Sequence, residues 1–186
     1  MLFHETDLKS AYIIDLQKHE DERGFFARSW CQREFTEQAL SAQFVQCNIS
    51  FNKRRGTVRG MHYQLPPCAE DKLIRVTRGA IVDVIVDLRP DSSTFLKCYG
   101  IELTQENHRA LYVPKGFAHG FQTLVDETEV FYQMSEFYAP EQACGLCWDD
   151  PLIDIRWPLP VAVISRRDQT YATVNAAMFD VFRRTA

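Results

Sequence analysis

Residues Leu73–Leu88 read LIRVTRGAIVDVIVDL and contain two runs rich in Val and Ile, separated by Arg78-Gly79. Runs of β-branched residues broken by a glycine are typical of strands joined by a tight turn, so the stretch predicts a hairpin. In the second run Asp83 and Asp87 share one face of the strand, while the other face is wholly apolar. Carboxylates on the wall of a β-structure are costly unless they are hydrogen-bonded, so this face either meets a partner such as a histidine or is solvated.

Short apolar runs of the same kind recur along most of the chain, and helical periodicity is scarce before the C-terminus. This pattern predicts an all-β barrel or sandwich, with residues 1–186 forming a single domain. Two short peripheral helices are expected, over Cys31–Leu40 and Val174–Arg184. The predicted strands are Tyr12–Leu16, Phe25–Ser29, Phe44–Phe51, Thr57–Gln64, Leu73–Thr77, Ala80–Leu88, Tyr99–Leu103, Ala110–Val113, Gly120–Leu124 and Glu129–Glu136.

The composition is that of an ordinary globular protein, with 46% hydrophobic and 25% charged residues. A net charge of −4 argues against nucleic acid or a membrane surface as partner, so an anionic ligand would need a local cluster of Arg and Lys. The apolar runs are too short to cross a membrane, and the first residues resemble no secretory signal, so a cytoplasmic location with reduced thiols is expected. Cys144 and Cys147 form an isolated C-x-x-C, which we interpret as incidental.

Two short motifs resemble those with which cupin barrels bind metal ions. Pro114–His119 reads PKGFAH and fits the P-x-G-x-x-H pattern, but His62–Gln64 reads HYQ where a metal cupin has H-x-H. A neutral amide is a poor ligand for a transition metal. The residues therefore predict a cupin-type jelly-roll barrel without a metal or other cofactor. Alternatively, the two histidines only satisfy hydrogen bonds in the core.

Longer motifs follow one another in order between about Tyr12 and Asp168. They are Asp21–Phe26 (DERGFF), Gln46–Ser50 (QCNIS), Arg59–Gln64 (RGMHYQ), Lys72-Leu73 (KL), Val82–Arg89 (VDVIVDLR), Pro114–Phe121 (PKGFAHGF), Trp148–Pro151 (WDDP), Ile155–Pro158 (IRWP) and Ser165–Asp168 (SRRD). With these motifs the chain resembles the dTDP-4-dehydrorhamnose 3,5-epimerase family, with residues 169–186 as a C-terminal extension. The family implies a homodimeric, metal-free isomerase that inverts C3 and C5 of a nucleotide-linked 4-keto-6-deoxyhexose.

The resemblance also implies catalytic roles. His62 would be the base that removes the C3 and C5 protons, and Asp168 would orient it. Tyr132 would return the proton from the opposite face of the sugar, and Lys72 would stabilise the enolate oxygen at C4. The two supporting residues behind the base would be Asp83 and His119.

Substrate-binding roles follow from the same resemblance. Arg59, and Arg23 from the partner subunit, would hold the diphosphate. Phe26 from the partner and Tyr138 would sandwich the nucleotide base. Gln46 and Asn48 would lie near the nucleoside.

Two departures from the family pattern fall in the binding region. Arg28 stands where well-known members carry a Glu near the nucleotide base, and Arg167 stands where Lys is common. A carboxylate accepts the N3–H of thymine, whereas Arg only donates. Either the preference shifts toward a CDP-linked or other nucleotide sugar, or Arg28 points to solvent and dTDP is retained.

Several rival functions fit the same sequence. On the same scaffold, the enzyme could invert C3 only, or act as a 3,4-ketoisomerase. A metal-dependent cupin oxygenase is opposed by Gln64. A non-catalytic sugar-nucleotide binding module is opposed by the joint presence of His62, Tyr132 and Asp168.

Overall fold

A computed structural model of the chain describes residues 1–175 together with 178, 179 and 182. Strands dominate it and the helices are short. The strands are β1 (Leu2–Glu5), β2 (Tyr12–Asp15), β3 (His19–Asp21), β4 (Gly24–Phe26), β5 (Gln46–Asn52), β6 (Thr57–Gln64), β7 (Lys72–Arg78), β8 (Ala80–Asp87), β9 (Cys98–Thr104), β10 (Ala110–Val113), β11 (Phe117–Thr123), β12 (Thr128–Met134), β13 (Ala143–Gly145) and β14 (Val163–Ile164), and the helices are α1 (Gln32–Glu37) and α2 (Arg166–Gln169).

The strands form two large sheets. One follows the order β1-β2-β10-β7-β12-β5 and the other β13-β6-β11-β8-β9, with β14 running parallel beside β6. The hairpin of β3 and β4 forms a two-stranded sheet of its own. The predicted all-β, cupin-type jelly-roll fold is confirmed.

The core lies between the two large sheets. Ile74 and Val130 from the first sheet pack with Ile81, Ile85 and Phe121 from the second, and all five are buried. Their burial follows from strand alternation, because every second residue of β7, β8, β11 and β12 points into the sandwich. Hydrophobic burial on this inner face fixes the pairing register of these strands. The same register determines the direction in which their polar side chains point.

The outer face of the second sheet is covered as well. Val84 and Val86, on the apolar face of β8, pack in a cluster with Met61, Leu146 and Phe182. The predicted helix Val174–Arg184 lies largely outside the described residues; within it, Met178, Phe179 and Phe182 have helical backbone. None of the helices in the described residues is long and apolar enough to cross a membrane.

The hairpin predicted at Arg78-Gly79 is wrong. Gly79 does make a tight turn, with φ of +79°, but β7 and β8 belong to different sheets. β7 pairs with β10 and β12, whereas β8 pairs with β9 and β11. The turn therefore carries the chain from the first sheet to the second. Both strands then bury one face in the same core between the sheets.

Candidate active site

His62 and Asp168 form a hydrogen-bonded pair on the second sheet. His62 lies on β6, and its Nε2 is 2.8 Å from Oδ1 of Asp168 on α2. The Ser165 side chain caps α2 by accepting the Asp168 backbone N–H at 3.0 Å. The imidazole is 43% exposed and the carboxylate 5%, so the pair presents the histidine to solvent and keeps the acid behind it.

Asp168 stays ionised despite its burial. Burial raises the pKa of this carboxyl, but the hydrogen bond and charge of His62, with the N–H of Gly60 and the Ser165 hydroxyl, outweigh it and hold the pKa below its ordinary value. An ionised Asp168 stabilises the imidazolium that forms when His62 accepts a proton. The pair is therefore suited to general-base chemistry.

Gly60 allows the backbone of β6 to lie close to Asp168 and to Gly120 on β11. Its N–H donates to Oδ2 of Asp168 at 3.3 Å, and its φ is +129°. A Cβ atom at Gly60 would lie 2.5 Å from the Cα of Gly120 on β11, so only glycine fits. The register between β6 and β11 shifts at this point, between His119 and Phe121.

Tyr171 packs beside the histidine. Its ring lies edge-on to that of His62, with centroids 6.0 Å apart, and it covers Gly145 on β13, which pairs with His62. A Cβ atom at Gly145 would lie 2.2 Å from the Tyr171 ring, so the glycine makes room for this contact. The imidazole is thus fixed by Asp168 at one nitrogen and by an aromatic wall at its side.

Lys72 and Tyr132 come from the opposite sheet. Lys72 begins β7, where its Nζ is 3.0 Å from Oε1 of Glu70, and Tyr132 lies on the neighbouring strand β12. Burial, opposed by the charge of Arg59 and aided by that of Glu70, raises the pKa of the Tyr132 phenol. Tyr132 therefore keeps its proton at neutral pH, as a general acid must.

His119 and Asp83 form a second histidine–aspartate pair. His119 on β11 places Nε2 2.6 Å from Oδ1 of Asp83 on β8, whose side chain is fully buried. Asp87 is also buried, and accepts hydrogen bonds from Arg89, Ser92 and Thr94. The solvated strand face considered for these acids is therefore wrong.

Two adjoining cavities unite these side chains. One of about 370 Å³ is lined by Gln46, Asn48, His62, Tyr63, Gln64, Glu70, Lys72, Tyr132, Met134, Tyr138, Ala143, Cys144 and Arg167. The other, of about 300 Å³, shares His62, Lys72 and Tyr132 and is also lined by Arg59 and His119. The imidazole lies on one sheet and the phenol and ammonium on the other, so a ligand between them meets these groups from two sides.

Comparison with known proteins shows which family the chain resembles. The family model described as dTDP-4-dehydrorhamnose 3,5-epimerase matches residues 5–176. A relative of that name from Methanothermobacter thermautotrophicus is 43% identical over 172 residues, which cover 91% of this chain and 92% of the relative. The chain belongs to this family. Its predicted enzyme class, a sugar-nucleotide epimerase, is thereby confirmed.

Two solved structures of this kind carry ligands. An epimerase from Legionella pneumophila in complex with dTDP-4-keto-L-rhamnose has a TM-score of 0.91 and 34% identity, covering 100% of this chain and 98% of that one. A 3'-monoepimerase from Streptomyces bikiniensis in complex with dTDP-quinovose has a TM-score of 0.83 and 30% identity, covering 91% of this chain and 86% of that one.

The side chains predicted to bind the nucleoside cluster at one end of the larger cavity. Gln46 donates to Oδ1 of Asn48 at 3.3 Å and accepts the backbone N–H of Tyr138 at 3.1 Å. Arg167 donates to the carbonyl of Ala143 at 3.4 Å, and its pKa is raised chiefly by hydrogen bonding to Tyr138. In the smaller cavity Arg59 donates to Asn52 at 2.7 Å.

Arg23, Phe26 and Arg28 lie away from both cavities within the described part of this chain. Arg23 is 83% exposed and pairs with Asp21, and Phe26 is 76% exposed on β4. Arg28 donates to Glu34 at 2.7 Å. Within this chain, the structure therefore does not bring these three residues together with the rest of the predicted epimerase site.

Gln64, at the cupin metal-ligand position, makes three hydrogen bonds to backbone groups through its side chain. Its amide donates to the carbonyls of Cys68 and Phe137 and accepts the N–H of Ala139. These bonds tie the loops after β6 and β12 to the cavity wall. Among the described residues, no three His, Cys, Asp and Glu side chains come together as a metal site.

Sequence reasoning gave no site role to five residues that line the larger cavity, which are Tyr63, Glu70, Met134, Ala143 and Cys144. Glu70 precedes Lys72 by two positions, a spacing that places both on one face of an extended strand and that could have signalled it. Cys144 lies on β13, which is too short to show in the sequence, and its pKa is raised mainly by burial. Met134, at the end of β12, was predicted only as part of a strand.

Proposed function

We propose that this chain inverts C3 and C5 of a dTDP-linked 4-keto-6-deoxyhexose, converting dTDP-4-dehydro-6-deoxyglucose to dTDP-4-dehydrorhamnose. One observation carries the proposal: His62 on the second sheet and Tyr132 on the first line the same cavity, with Lys72 beside the phenol. Inversion at carbon needs a base on one side of the sugar and an acid on the other, and in this proposal His62 would be the base and Tyr132 the acid.

The reaction would begin with proton abstraction. The C4 ketone acidifies the hydrogens at C3 and C5, and His62 takes one of them on the ring nitrogen that does not face Asp168. The carbanion is delocalised as an enolate onto the C4 oxygen, where the Lys72 ammonium stabilises the charge. The buried pair of Asp83 and His119 would support the cavity wall behind the base.

Reprotonation would come from the opposite side. Tyr132 remains protonated because its pKa is raised, so it can donate to the carbon from the first sheet while His62 occupies the second. Repeating the two steps at the second carbon completes the double inversion, and the catalytic groups return to their starting protonation states by exchange with solvent.

The nucleotide would extend from the catalytic residues toward Tyr138. Arg59 would bind the diphosphate, Gln46 and Asn48 the nucleoside, and Tyr138 one face of the base. Arg167 would add a cation at the same end of the cavity.

We also infer a homodimer in which Arg23 and Phe26 reach the partner's cavity. Support comes from their exposure on the β3–β4 hairpin, where an aromatic side chain that is 76% exposed has no apolar cover in its own subunit's described residues. A cytoplasmic location is proposed because all six cysteines, each within the described residues, are free thiols.

The decisive experiment is NMR of dTDP-4-keto-6-deoxyglucose incubated in D2O with the enzyme. Deuterium should enter at both C3 and C5, with inversion at both centres. Exchange at C3 alone would replace the proposal with the second candidate, a C3 epimerase, which the similarity to a 3'-monoepimerase favours. Exchange at neither carbon would contradict both.

A further inference from the structure

Glu70 is a buried carboxylate that the mechanism above leaves without a task. Its side chain is 3% exposed, and its Oε1 lies 3.0 Å from Nζ of Lys72, whose side chain is 10% exposed. The ion pair holds the ammonium at the cavity wall and leaves two of its three N–H donors for a ligand. Glu70 itself also lines the cavity.

The second oxygen of Glu70 is unsatisfied. Oε2 is buried and has no hydrogen-bond partner among the described residues. Leaving a buried carboxylate oxygen without a donor costs free energy, and buried polar atoms of this kind are common where a ligand completes the bonding. An ionised carboxylate only accepts, so the missing group must be a donor.

The segment just before β7 turns Glu70 toward the cavity and Asp71 away from it. Asp71, between Glu70 and Lys72, uses the other face: it accepts the hydroxyl of Ser135 at 3.0 Å and the N–H of Lys115 at 3.1 Å. Glu70 and Lys72 therefore share the cavity side. The negative charge of Glu70 reaches Tyr132, where it adds to the effect of burial on the phenol.

We propose that Glu70 is a substrate-binding residue that accepts a hydrogen bond from the C3 hydroxyl of the keto sugar. The inference rests on the proposed function, which places the C4 oxygen at Lys72. Of the two carbons beside C4, C3 carries a hydroxyl, whereas C5 carries a methyl group and the ring oxygen. The hydroxyl nearest to a carboxylate paired with Lys72 is therefore the one at C3. Glu70 selects sugars that have it.

The test compares two substrates with two proteins. Wild-type enzyme and Glu70→Ala are given dTDP-4-keto-6-deoxyglucose and its 3-deoxy analogue, and kcat/KM is measured for deuterium entry at C5. A hydrogen bond to a charged group predicts that wild type favours the 3-hydroxy sugar by about 10- to 100-fold. In Glu70→Ala this preference should fall to about threefold or less.

The ratio of the two substrates separates binding from indirect effects. If Glu70 only positions Lys72, its loss lowers both rates by the same factor and leaves the ratio unchanged, which would overturn the proposal. Equal use of both substrates by wild type would overturn it too, although the proposed epimerase would then stand. Failure of wild type to exchange C5 in either sugar would remove the epimerase and the Glu70 role together.

Two further variants complete the design. Glu70→Gln keeps the side-chain volume and a neutral acceptor, so it should fold if Glu70→Ala does not, and should prefer the 3-hydroxy sugar by about 2- to 10-fold. A full wild-type preference in this variant would count against the charged contact. Glu127→Ala removes a carboxylate from the exposed ion pair with Arg78 and should retain the wild-type ratio.

Discussion

His62 is the residue on which the proposed chemistry depends most directly. His62→Ala should reduce the rate of deuterium exchange at both C3 and C5 by ~10²–10⁴-fold, because general-base catalysis typically contributes a rate factor of that size. NMR in D2O measures both carbons in one experiment, and circular dichroism reports whether the fold is retained.

A matched control for this prediction is His4→Ala. His4 pairs with Asp15 on the surface, and its side chain is 52% exposed. The control should exchange at the wild-type rate. Exchange by His62→Ala near that same rate would remove His62 from the mechanism.

The Tyr132→Phe variant should separate proton abstraction from inversion of configuration at carbon. In Tyr132→Phe the base still removes a proton, so deuterium should wash in, but inverted product should be lost because the donor on the first sheet is missing. Product configuration is read from NMR coupling constants. Tyr99→Phe, on β9, is the control, and normal inversion by Tyr132→Phe would exclude this tyrosine as the acid.

Single residues were predictable where a motif fixed their spacing, and less so where only the fold brings them together. His62 and His119 could be assigned from short motifs, because His62 lies two residues after Gly60, and His119 lies five residues after Pro114 and three after Gly116. Their acid partners lie 106 and 36 positions away in the chain. Asp168 was reached only through the family resemblance, and Glu70 was missed because acidic residues next to a lysine, as in Glu70-Asp71-Lys72, usually lie on the surface.

At the level of elements, the end of β8 makes a testable contribution to stability. Asp87 is buried there, and burial raises its pKa, but hydrogen bonds from Arg89, Ser92 and Thr94 outweigh this and hold the pKa below its ordinary value. A carboxyl whose pKa is lower folded than unfolded stabilises the protein above the unfolded pKa, about 3.9, and loses that contribution as the pH falls through the folded value.

Asp87→Asn should therefore lower the free energy of unfolding by about 1–3 kcal/mol at pH 7, and by less at pH 3. Urea unfolding at the two pH values measures the difference. Asp154→Asn breaks an exposed pair with Arg156 and should cost under about 1 kcal/mol at either pH. An Asp87→Asn deficit that does not shrink in acid would show that the carboxylate charge is not what stabilises this turn.

Elements were predictable in proportion to their length. The prediction for β6 had the bounds that the structure shows, Thr57–Gln64, because this run of eight residues lies between two turn-forming residues, Gly56 and Pro66. β13 and β14 were missed, since three and two residues carry no periodicity. The turn at Gly79 was recognised but misread, because a sequence shows that a chain bends and not which sheet it enters next.

For the molecule as a whole, the open question of nucleotide preference turns on Arg28. Its guanidinium is held by Glu34, which also binds the N-terminal ammonium, so Arg28 is not a free cation awaiting a base. Calorimetric titration should show dTDP binding ~10-fold or more tighter than UDP, CDP or GDP, ~1.4 kcal/mol. Arg28→Ala should keep that order. Binding of CDP as tight as dTDP would restore the altered-base interpretation.

The position of Asp168 also has a consequence for how the enzyme comes into being. It follows the last strand that the structure describes, yet it completes a site whose imidazole was made 106 residues earlier. Ribosomes release the N-terminal part of a chain first. Every strand of the two large sheets except β14 is therefore synthesised well before the partner of the base. During synthesis the imidazole of the proposed base is therefore present before the carboxylate that is proposed to orient it.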